Sequence, residues 1–283
     1  MRWQDRRRSS NIEDRRGSGG RKLTIGGGLG AVVALVVYLF FGGNGNQITQ
    51  SLKSFQGSGT ETSRPLTAQE KELGEFTAVI LADTEDVWHE LFRGSRYQYR
   101  EPKLVLFSSA TESACGYAQS ATGPFYCPAD EKVYIDLDFL QELQQRLNAP
   151  GDFAMAYVIA HEVGHHVQNI LGVMDQRQEM EQRLSKREFN RYLVKMELQA
   201  DFLAGVWAHH AQRTKNVLEE GDIEEAINAA GAVGDDRIQQ QSRGYVVPDS
   251  FTHGTAKQRM RWFLKGWKSG DVNQGNTFDS NDL

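Results

Sequence analysis

Apolar residues recur at helical spacing over residues 153–171, which predicts an amphipathic helix. Its apolar stripe consists of Ile159, Val163, Val167 and Ile170. The opposite side carries His161 and His165, which are four positions apart and therefore lie one above the other. One face of this helix is expected to pack into a core while the other presents two imidazoles in the same direction.

The same kind of periodicity predicts the other elements of the chain. A capping-box signature at residues 67–70 begins a long helix that ends near Phe92. Two short segments rich in β-branched and aromatic residues, 103–107 and 132–136, predict strands. Further helices are expected over residues 138–147, 176–189, 193–212, 223–240 and 255–267. These elements predict an α+β domain that is mainly helical and contains a small β-sheet.

The start of the chain has a different pattern, in which an apolar run follows a basic segment. The run from Leu23 to Phe41 is uncharged, and nineteen residues at ~1.5 Å rise cover ~28 Å, close to the thickness of a bilayer. We therefore assign residues 23–42 to one transmembrane helix. A cleaved signal peptide is the alternative, disfavoured because the bulky end of the run offers no small-residue cleavage site. The positive-inside rule then places residues 1–22 in the cytoplasm and the rest of the chain across the membrane.

Composition and charge divide the remainder of the chain. Residues 43–66 are mostly Gly, Asn, Gln, Ser and Thr and predict a flexible linker, followed by one globular domain over residues 67–268. The polar tail, 269–283, is expected to be mobile. Residues 1–22 carry eight Arg or Lys and three acidic residues, so the net charge of −5 leaves −10 for the rest. This balance excludes nucleic acid as an expected partner of the domain.

Two cysteines, Cys115 and Cys127, lie in the loop between the predicted strands. If the domain is translocated it meets an oxidising compartment, in which a disulfide between them can form and persist. Unlinked or metal-binding thiols are the alternative, disfavoured because no further cysteine offers a second pair of ligands.

Residues 161–165 read H-E-x-x-H, the pattern of zinc hydrolases. A catalytic zinc usually takes three protein ligands and keeps a fourth position for water. Glu197 is our candidate for the third ligand, because it lies among apolar residues, where a buried carboxylate needs a cation. Glu162 is turned about 100° from His161, which suits a base beside the metal. Other acidic candidates lie in charged, solvent-exposed sequence: Glu179, Glu181 and Glu188.

Asp201 follows Glu197 by four positions and shares its helical face. We expect Asp201 to accept the free ring N–H of a zinc-bound histidine and so to fix its tautomer. The opposite assignment, with Asp201 as the ligand, stays open. His166 points elsewhere on its helix and is interpreted as a hydrogen-bonding or surface residue.

The pair of motifs, H-E-x-x-H and Glu197-x-x-x-Asp201, resembles the gluzincin zinc peptidases. Together with residues 123–130, 161–169 and 252–254, it resembles more closely a bacterial family of neutral zinc metallopeptidases whose members begin with an Arg-rich segment and a membrane anchor. The likeness covers nearly the whole chain beyond the linker. It implies a zincin-like fold, one Zn²⁺ per chain and a peptide or protein substrate. It also implies a single-pass inner-membrane protein, held in the bilayer by residues 23–42, with its catalytic domain in the periplasm.

The mechanism that the resemblance implies is attack of a zinc-activated water on a peptide carbonyl, with Glu162 as general base. His253 is the first candidate for a donor to the oxyanion and Tyr245 the second, although His253 could equally be an ordinary loop histidine. The predicted strand 132–136 is the candidate for an edge that binds an extended peptide. Alternative functions are a catalytically silent zinc-fold scaffold of the cell envelope and a zinc amidase that acts on cell-wall peptides.

Overall fold

The computed structural model describes residues 1–16, 65–119, 123–137, 139, 150–280 and 283. Residues 1–15 and 67–283 form one unit by their contacts. The predicted membrane segment, residues 23–42, lies outside the described residues, as does nearly all of the predicted linker, residues 43–66.

Six strands form two sheets in the described part of the chain. They are β1 (Ile12–Asp14), β2 (Lys103–Phe107), β3 (Ala110–Ser113), β4 (Gly116–Gln119), β5 (Phe125–Cys127) and β6 (Lys132–Asp136). The larger sheet has the order β1-β2-β6-β5, in which β1, β2 and β6 are parallel and β5 is antiparallel to β6. Both strands predicted from the sequence, β2 and β6, are confirmed with their expected bounds. They occupy the centre of the sheet, where their apolar side chains are buried on both faces.

The second sheet is the antiparallel hairpin of β3 and β4, and a disulfide joins it to the first sheet. Cys115 lies in the turn between β3 and β4, and its sulfur is bonded to that of Cys127 at the end of β5. The predicted disulfide is therefore present. It ties the hairpin to the outermost strand of the larger sheet.

Seven α helices are described. They are α1 (Ala68–Phe92), α2 (Asp152–Ile170), α3 (Val173–Arg183), α4 (Lys186–Lys215), α5 (Asp222–Ala232), α6 (Asp235–Arg243) and α7 (Ala256–Ser269). The capping box predicted for α1 is present, because the Thr67 hydroxyl accepts from the Glu70 amide and the Glu70 carboxylate accepts from the Thr67 amide.

Two helix boundaries differ from the periodicity. The predicted helix 176–189 is divided, because a second capping box at Ser185 ends one helix and begins α4. The predicted helix 223–240 is also divided, into α5 and α6. The break falls at Gly234, where a Cβ would lie 2.3 Å from the Ala256 backbone nitrogen, so only glycine allows the chain to pass this close to the start of α7.

Helices α4 and α7 cross in backbone contact. A Cβ on Gly205 would lie 2.1 Å from the Phe263 carbonyl oxygen, and a Cβ on Gly266 would lie 2.0 Å from that of Phe202. Glycine on both helices therefore permits the close crossing. This contact brings the start of α7 beside the middle of α4, where the candidate metal ligand is found.

The N-terminal segment packs onto the same unit as the helices. The Met1 ammonium lies 2.7 Å from an Asp152 carboxylate oxygen at the start of α2 and 3.4 Å from one of Asp222 at the start of α5. Burial would lower the pKa of this ammonium, but the surrounding carboxylates raise it to about 10. Arg6 pairs with Asp83 of α1 at 2.7 Å, and β1 forms one edge of the larger sheet.

Two predictions are corrected by these findings. No helix among the described residues is long and apolar enough to cross a membrane. The predicted fold class, an α+β domain behind a transmembrane helix, is wrong, since the described residues form a mixed α/β fold with seven helices and two small sheets. The predicted single-pass localisation, with residues 1–22 and the domain on opposite sides of a bilayer, is also wrong. Residues 1–15 lie in one unit with the domain, and their basic side chains pair with its acidic ones.

The C-terminal segment, expected to be a mobile tail, packs against α4 over residues 271–280. Thr277 is completely buried, and its hydroxyl donates to the Lys195 carbonyl at 2.6 Å. The Lys195 ammonium in turn donates to the Phe278 carbonyl at 2.6 Å. The segment is therefore held by specific hydrogen bonds.

Candidate metal centre

Helix α2 is buried on all sides over residues 153–168, and its two sides carry different side chains. Ile159 and Val163 are fully buried in the main core, as the apolar stripe predicts. His161 and His165 lie on the other side with their rings nearly perpendicular and their centroids 4.9 Å apart. The helix thus fixes the two histidines relative to each other before any metal binds.

Glu197 reaches the same point from α4. Its two carboxylate oxygens lie 3.2 Å from the Nε2 atom of His161 and 3.5 Å from the Nε2 atom of His165. A tetrahedral zinc with bonds of ~2.0–2.1 Å separates neighbouring ligand atoms by about 3.3 Å. One donor atom from each of the three residues lies within 4.8 Å of the others. Both the chemistry and the spacing of this donor set therefore fit zinc.

Asp201 lies behind His161 rather than beside Glu197. It is completely buried, and its Oδ1 atom lies 2.8 Å from the His161 Nδ1 atom. The same oxygen accepts from the Tyr157 hydroxyl at 2.5 Å. Asp201 thus holds the ring nitrogen that faces away from Glu197. This arrangement favours a supporting role over the open alternative in which Asp201 is itself a ligand.

Arg259 of α7 completes this arrangement and was not found from the sequence. Its guanidinium donates to both carboxylate oxygens of Asp201, at 2.8 and 3.0 Å. The fork is buried, and it also donates to the Val233 carbonyl at 3.2 Å. Burial alone would raise the pKa of Asp201, but Arg259 and then His161 lower it to about 2. Asp201 is therefore an anion that can accept from His161.

The electrostatics of the three candidate ligands favour a bound cation. Burial lowers the pKa of His161, but Asp201 and Glu197 outweigh it and raise the pKa to about 10. Burial raises the pKa of Glu197, and the imidazoles of His165 and His253 outweigh it and hold the pKa well below its usual range. The carboxylates thus stabilise positive charge on His161, and the imidazoles stabilise negative charge on Glu197.

Glu162 and His166 lie on other faces of α2 than His161 and His165. Glu162 is buried next to the two histidines. Burial lowers the pKa of His165, but the charge of Glu197 and, to a smaller extent, that of Glu162 outweigh it and raise the pKa. His166 is completely buried on another face, where its Nδ1 atom lies 2.9 Å from the Tyr126 hydroxyl and its Nε2 atom 2.7 Å from the Arg100 carbonyl. His166 is therefore a hydrogen-bonding core residue.

His253 lies in the loop before α7, and its side chain is 51% exposed. Asp235 organises this loop, since its Oδ2 atom accepts from the backbone amides of residues 252, 253 and 254, at 2.7 to 3.0 Å. The Oδ1 atom of Asp235 lies 3.3 Å from the His253 Nδ1 atom. A Cβ on Gly254 would contact Val194 and Leu198, so the loop packs on α4 around Glu197. Tyr245, the second candidate, is 60% exposed in the segment that leads to this loop.

The sheet order corrects the predicted substrate strand. Strand β6 lies between β2 and β5, so it is not an edge of the sheet. The edge strand that contacts α2 is β5, whose Tyr126 hydroxyl accepts from the Asn169 side-chain amide at 3.0 Å. This bond and the Tyr126–His166 contact hold β5 against α2. Apolar runs indicate which segments form strands but not the order of the strands in the sheet, which explains the error.

Comparison with known proteins gives the same class of protein as the site. The family model described as "Putative neutral zinc metallopeptidase" matches residues 1–278, and the chain belongs to this family. The uncharacterized protein YpfJ of Escherichia coli K12 is 50% identical over 284 residues, covering 98% of this chain and 99% of YpfJ. The uncharacterized protein Mb2605 of Mycobacterium bovis is 44% identical over 207 residues, covering 70% of this chain and 68% of Mb2605. No solved structure matches the chain.

Proposed function

We propose that this protein is a zinc-dependent endopeptidase with one zinc ion per chain, held by His161, His165 and Glu197. The observation that carries the proposal is the convergence of their donor atoms, with spacings of 3.2 and 3.5 Å between the imidazole nitrogens and the carboxylate oxygens. Three protein ligands leave the fourth position of a tetrahedral ion open, which is the arrangement of catalytic zinc sites.

When bound, zinc would supply a coordinated water of lowered pKa and an electrophile for the substrate carbonyl. Glu162 accepts the proton of the attacking water as the C–O bond forms, and then passes that proton to the amine nitrogen, which leaves as the peptide C–N bond breaks. The position of Glu162 supports this role, because it is buried beside His161 and His165 on the same helix. Asp201 keeps the His161 ring oriented throughout, because Arg259 fixes both of its oxygens.

His253 is proposed to donate a hydrogen bond to the oxyanion that develops on the substrate. Asp235 lies 3.3 Å from its Nδ1 atom and can accept a hydrogen bond from it, so the Nε2 atom of the protonated ring is left to donate to the substrate. Burial lowers the pKa of His253, but the charges of Glu197 and Asp235 outweigh it and raise the pKa, which favours a protonated donor. His253 is half exposed, as a residue must be if it contacts a substrate that enters from solvent.

An extended peptide is proposed to add to the sheet along β5. In the described part of the chain, β5 is the last strand of the larger sheet and pairs only with β6, and it is held against α2 through Tyr126. Backbone pairing with an edge strand would hold the scissile carbonyl without selecting particular side chains. A broad specificity for unfolded polypeptides follows from this mode of binding.

The test uses the full-length protein, loaded with zinc, and a fluorescently labelled unfolded protein as substrate. Glu162→Gln should retain one zinc per chain by elemental analysis and lose cleavage by about 10²-fold or more, because an amide cannot accept the proton. Glu220→Gln, on an exposed acid, is the matched control and should cleave at the wild-type rate. Unchanged cleavage in Glu162→Gln would contradict the mechanism. A zinc-loaded wild type that cleaves no peptide would favour the silent scaffold.

A further inference from the structure

The two histidines of α2, His161 and His165, have chemically different hydrogen-bond partners at their Nδ1 atoms. His161 has a carboxylate behind it, whereas the Nδ1 atom of His165 lies 2.8 Å from the side-chain oxygen of Gln168. We propose that Gln168 is a positioning residue that fixes the tautomer of His165, and that Gln199 and the C-terminal segment hold Gln168 in place. The inference rests on the proposed zinc site.

The orientation of the Gln168 amide follows from its partners. Its nitrogen lies 2.8 Å from the Met196 carbonyl oxygen and 3.0 Å from the Gln199 side-chain oxygen. A backbone carbonyl can only accept, so the atom that faces Met196 must be the NH₂ group. The Gln168 oxygen therefore faces His165, and it can only accept.

Gln199 is oriented by the same logic. Its nitrogen lies 3.0 Å from the Gly275 carbonyl oxygen, which again can only accept. Its own oxygen must therefore face Gln168 and accept the second amide proton. Two backbone carbonyls, one on α4 and one in the C-terminal segment, thus fix both amides without any assumption about protonation.

The consequence for His165 is a defined tautomer. An acceptor at 2.8 Å requires a proton on Nδ1, so the neutral, metal-binding form of the ring has its lone pair on Nε2, the atom that faces Glu197 and the proposed metal position. Gln168 is completely buried, so water does not compete for this bond. A neutral amide also adds no charge to a centre that already contains the carboxylates of Glu162, Glu197 and Asp201.

The C-terminal segment packs on α4 at the point where Gly275 accepts from Gln199. A Cβ on Gly275 would lie 2.5 Å from the Phe202 ring, so the backbone at this position rests directly on α4. Thr277 and Lys195 secure the residues that follow. The segment that composition marks as a polar tail is thus connected through Gln199 and Gln168 to a candidate zinc ligand.

The experiment compares the zinc affinity of the full-length wild type with Gln168→Leu, Gln199→Leu and the exposed control Gln178→Leu, by competition with a chromophoric chelator. Loss of a partner behind a ligating histidine typically weakens metal binding by 10–100-fold. We expect a loss of that size for Gln168→Leu, a smaller loss for Gln199→Leu, and wild-type affinity for Gln178→Leu. Gln168→Leu within twofold of the wild type would overturn the inference.

A second measurement needs no variant and so does not depend on whether Gln168→Leu folds. Long-range ¹H–¹⁵N spectra of the zinc-loaded wild type should show His165 protonated at Nδ1 and bound to zinc through Nε2. Zinc bound through Nδ1 would overturn the inference. The outcomes also separate the two proposals, because a wild type that binds zinc without cleaving peptides contradicts only the peptidase function. Wild-type affinity in Gln168→Leu, with cleavage still dependent on Glu162, contradicts only the role of Gln168.

Discussion

Replacing Arg259 by Met should destabilise the protein more than any single surface change, because it leaves Asp201 buried with its main counter-ion removed. Asp201 is completely buried, and both of its oxygens accept from the guanidinium, at 2.8 and 3.0 Å. Removing one partner of a buried ion pair costs about 3–5 kcal/mol. Tyr157 and His161 remain as partners of Asp201, so we expect the lower end, about 3 kcal/mol.

The assay is urea denaturation of the zinc-free protein in the presence of a chelator, so that any loss of metal binding is not counted as lost stability. In a thermal melt of the same samples, a loss of about 3 kcal/mol corresponds to a fall of roughly 6–12 °C in Tm for a protein of this size. Lys257→Met, on an exposed residue of the same helix, is the matched control and should change the free energy of unfolding by less than about 0.5 kcal/mol. Arg259→Lys keeps the positive charge but not the paired hydrogen bonds of the guanidinium to Asp201. Its loss of stability should therefore lie between those of Arg259→Met and Lys257→Met.

The stability lost in Arg259→Met should become smaller as the pH falls. The pKa of Asp201 in the folded protein is about 2, below the unfolded value of ~3.9, so its ionisation contributes stability above the unfolded pKa. That contribution is lost as the pH falls toward about 2, where the carboxyl becomes protonated in the wild type as well. The gap between wild type and Arg259→Met should therefore narrow in acid. The reasoning would be refuted if Arg259→Met lost less than about 1 kcal/mol in free energy of unfolding at pH 7. It would also be refuted if the difference in stability between the wild type and the variant grew in acid.

Three further predictions concern separate parts of the molecule. Glu197→Gln should empty the zinc site, and full zinc occupancy by elemental analysis would point to another acidic ligand. Reduction of the Cys115–Cys127 bond, which closes a loop with a sequence separation of 12, should lower the free energy of unfolding by ~3 kcal/mol, measured with and without reductant. Gly266→Ala should cost about 1–3 kcal/mol or more, because its Cβ would overlap a backbone oxygen of α4, whereas the exposed Lys268→Ala should be neutral in the same thermal melts.

The parts of the site that the sequence predicted are those set by local geometry. His161 and His165 share a helical face by their spacing alone, and so do Glu197 and Asp201, which is why both pairs could be placed. Arg259 could not be found in this way, because its contact with Asp201 joins residues 58 positions apart through the packing of two helices. The contact between Gln168 and His165 could have been found from the sequence, since Gln168 lies three positions after His165 on the same helix and the two side chains are therefore neighbours.

The N-terminal segment shows where composition misleads. A basic stretch before an apolar run has the charge pattern of a membrane protein, and nothing local distinguishes Arg6 and Arg7 from a topogenic signal. Their partners, Asp83, Glu85 and Asp86, are visible in the sequence as acidic positions of α1. Only the tertiary arrangement brings the two groups together. Strand β1 was missed for a related reason, since its three residues have no apolar run of their own.

The docked N-terminal segment makes the order of folding unusual. Strand β1 can pair only after β2 has been made, roughly ninety residues later, and Met1 contacts Asp222, which is 221 positions away. At a synthesis rate of ~5–20 residues per second, Met1 waits on the order of ten seconds or more until Asp222 has been made. Such non-local pairings add loop-closure entropy and slow folding. Until they form, β2 presents an open edge to other chains, so a protein that lacks residues 1–15 should aggregate during synthesis even where its metal site is intact.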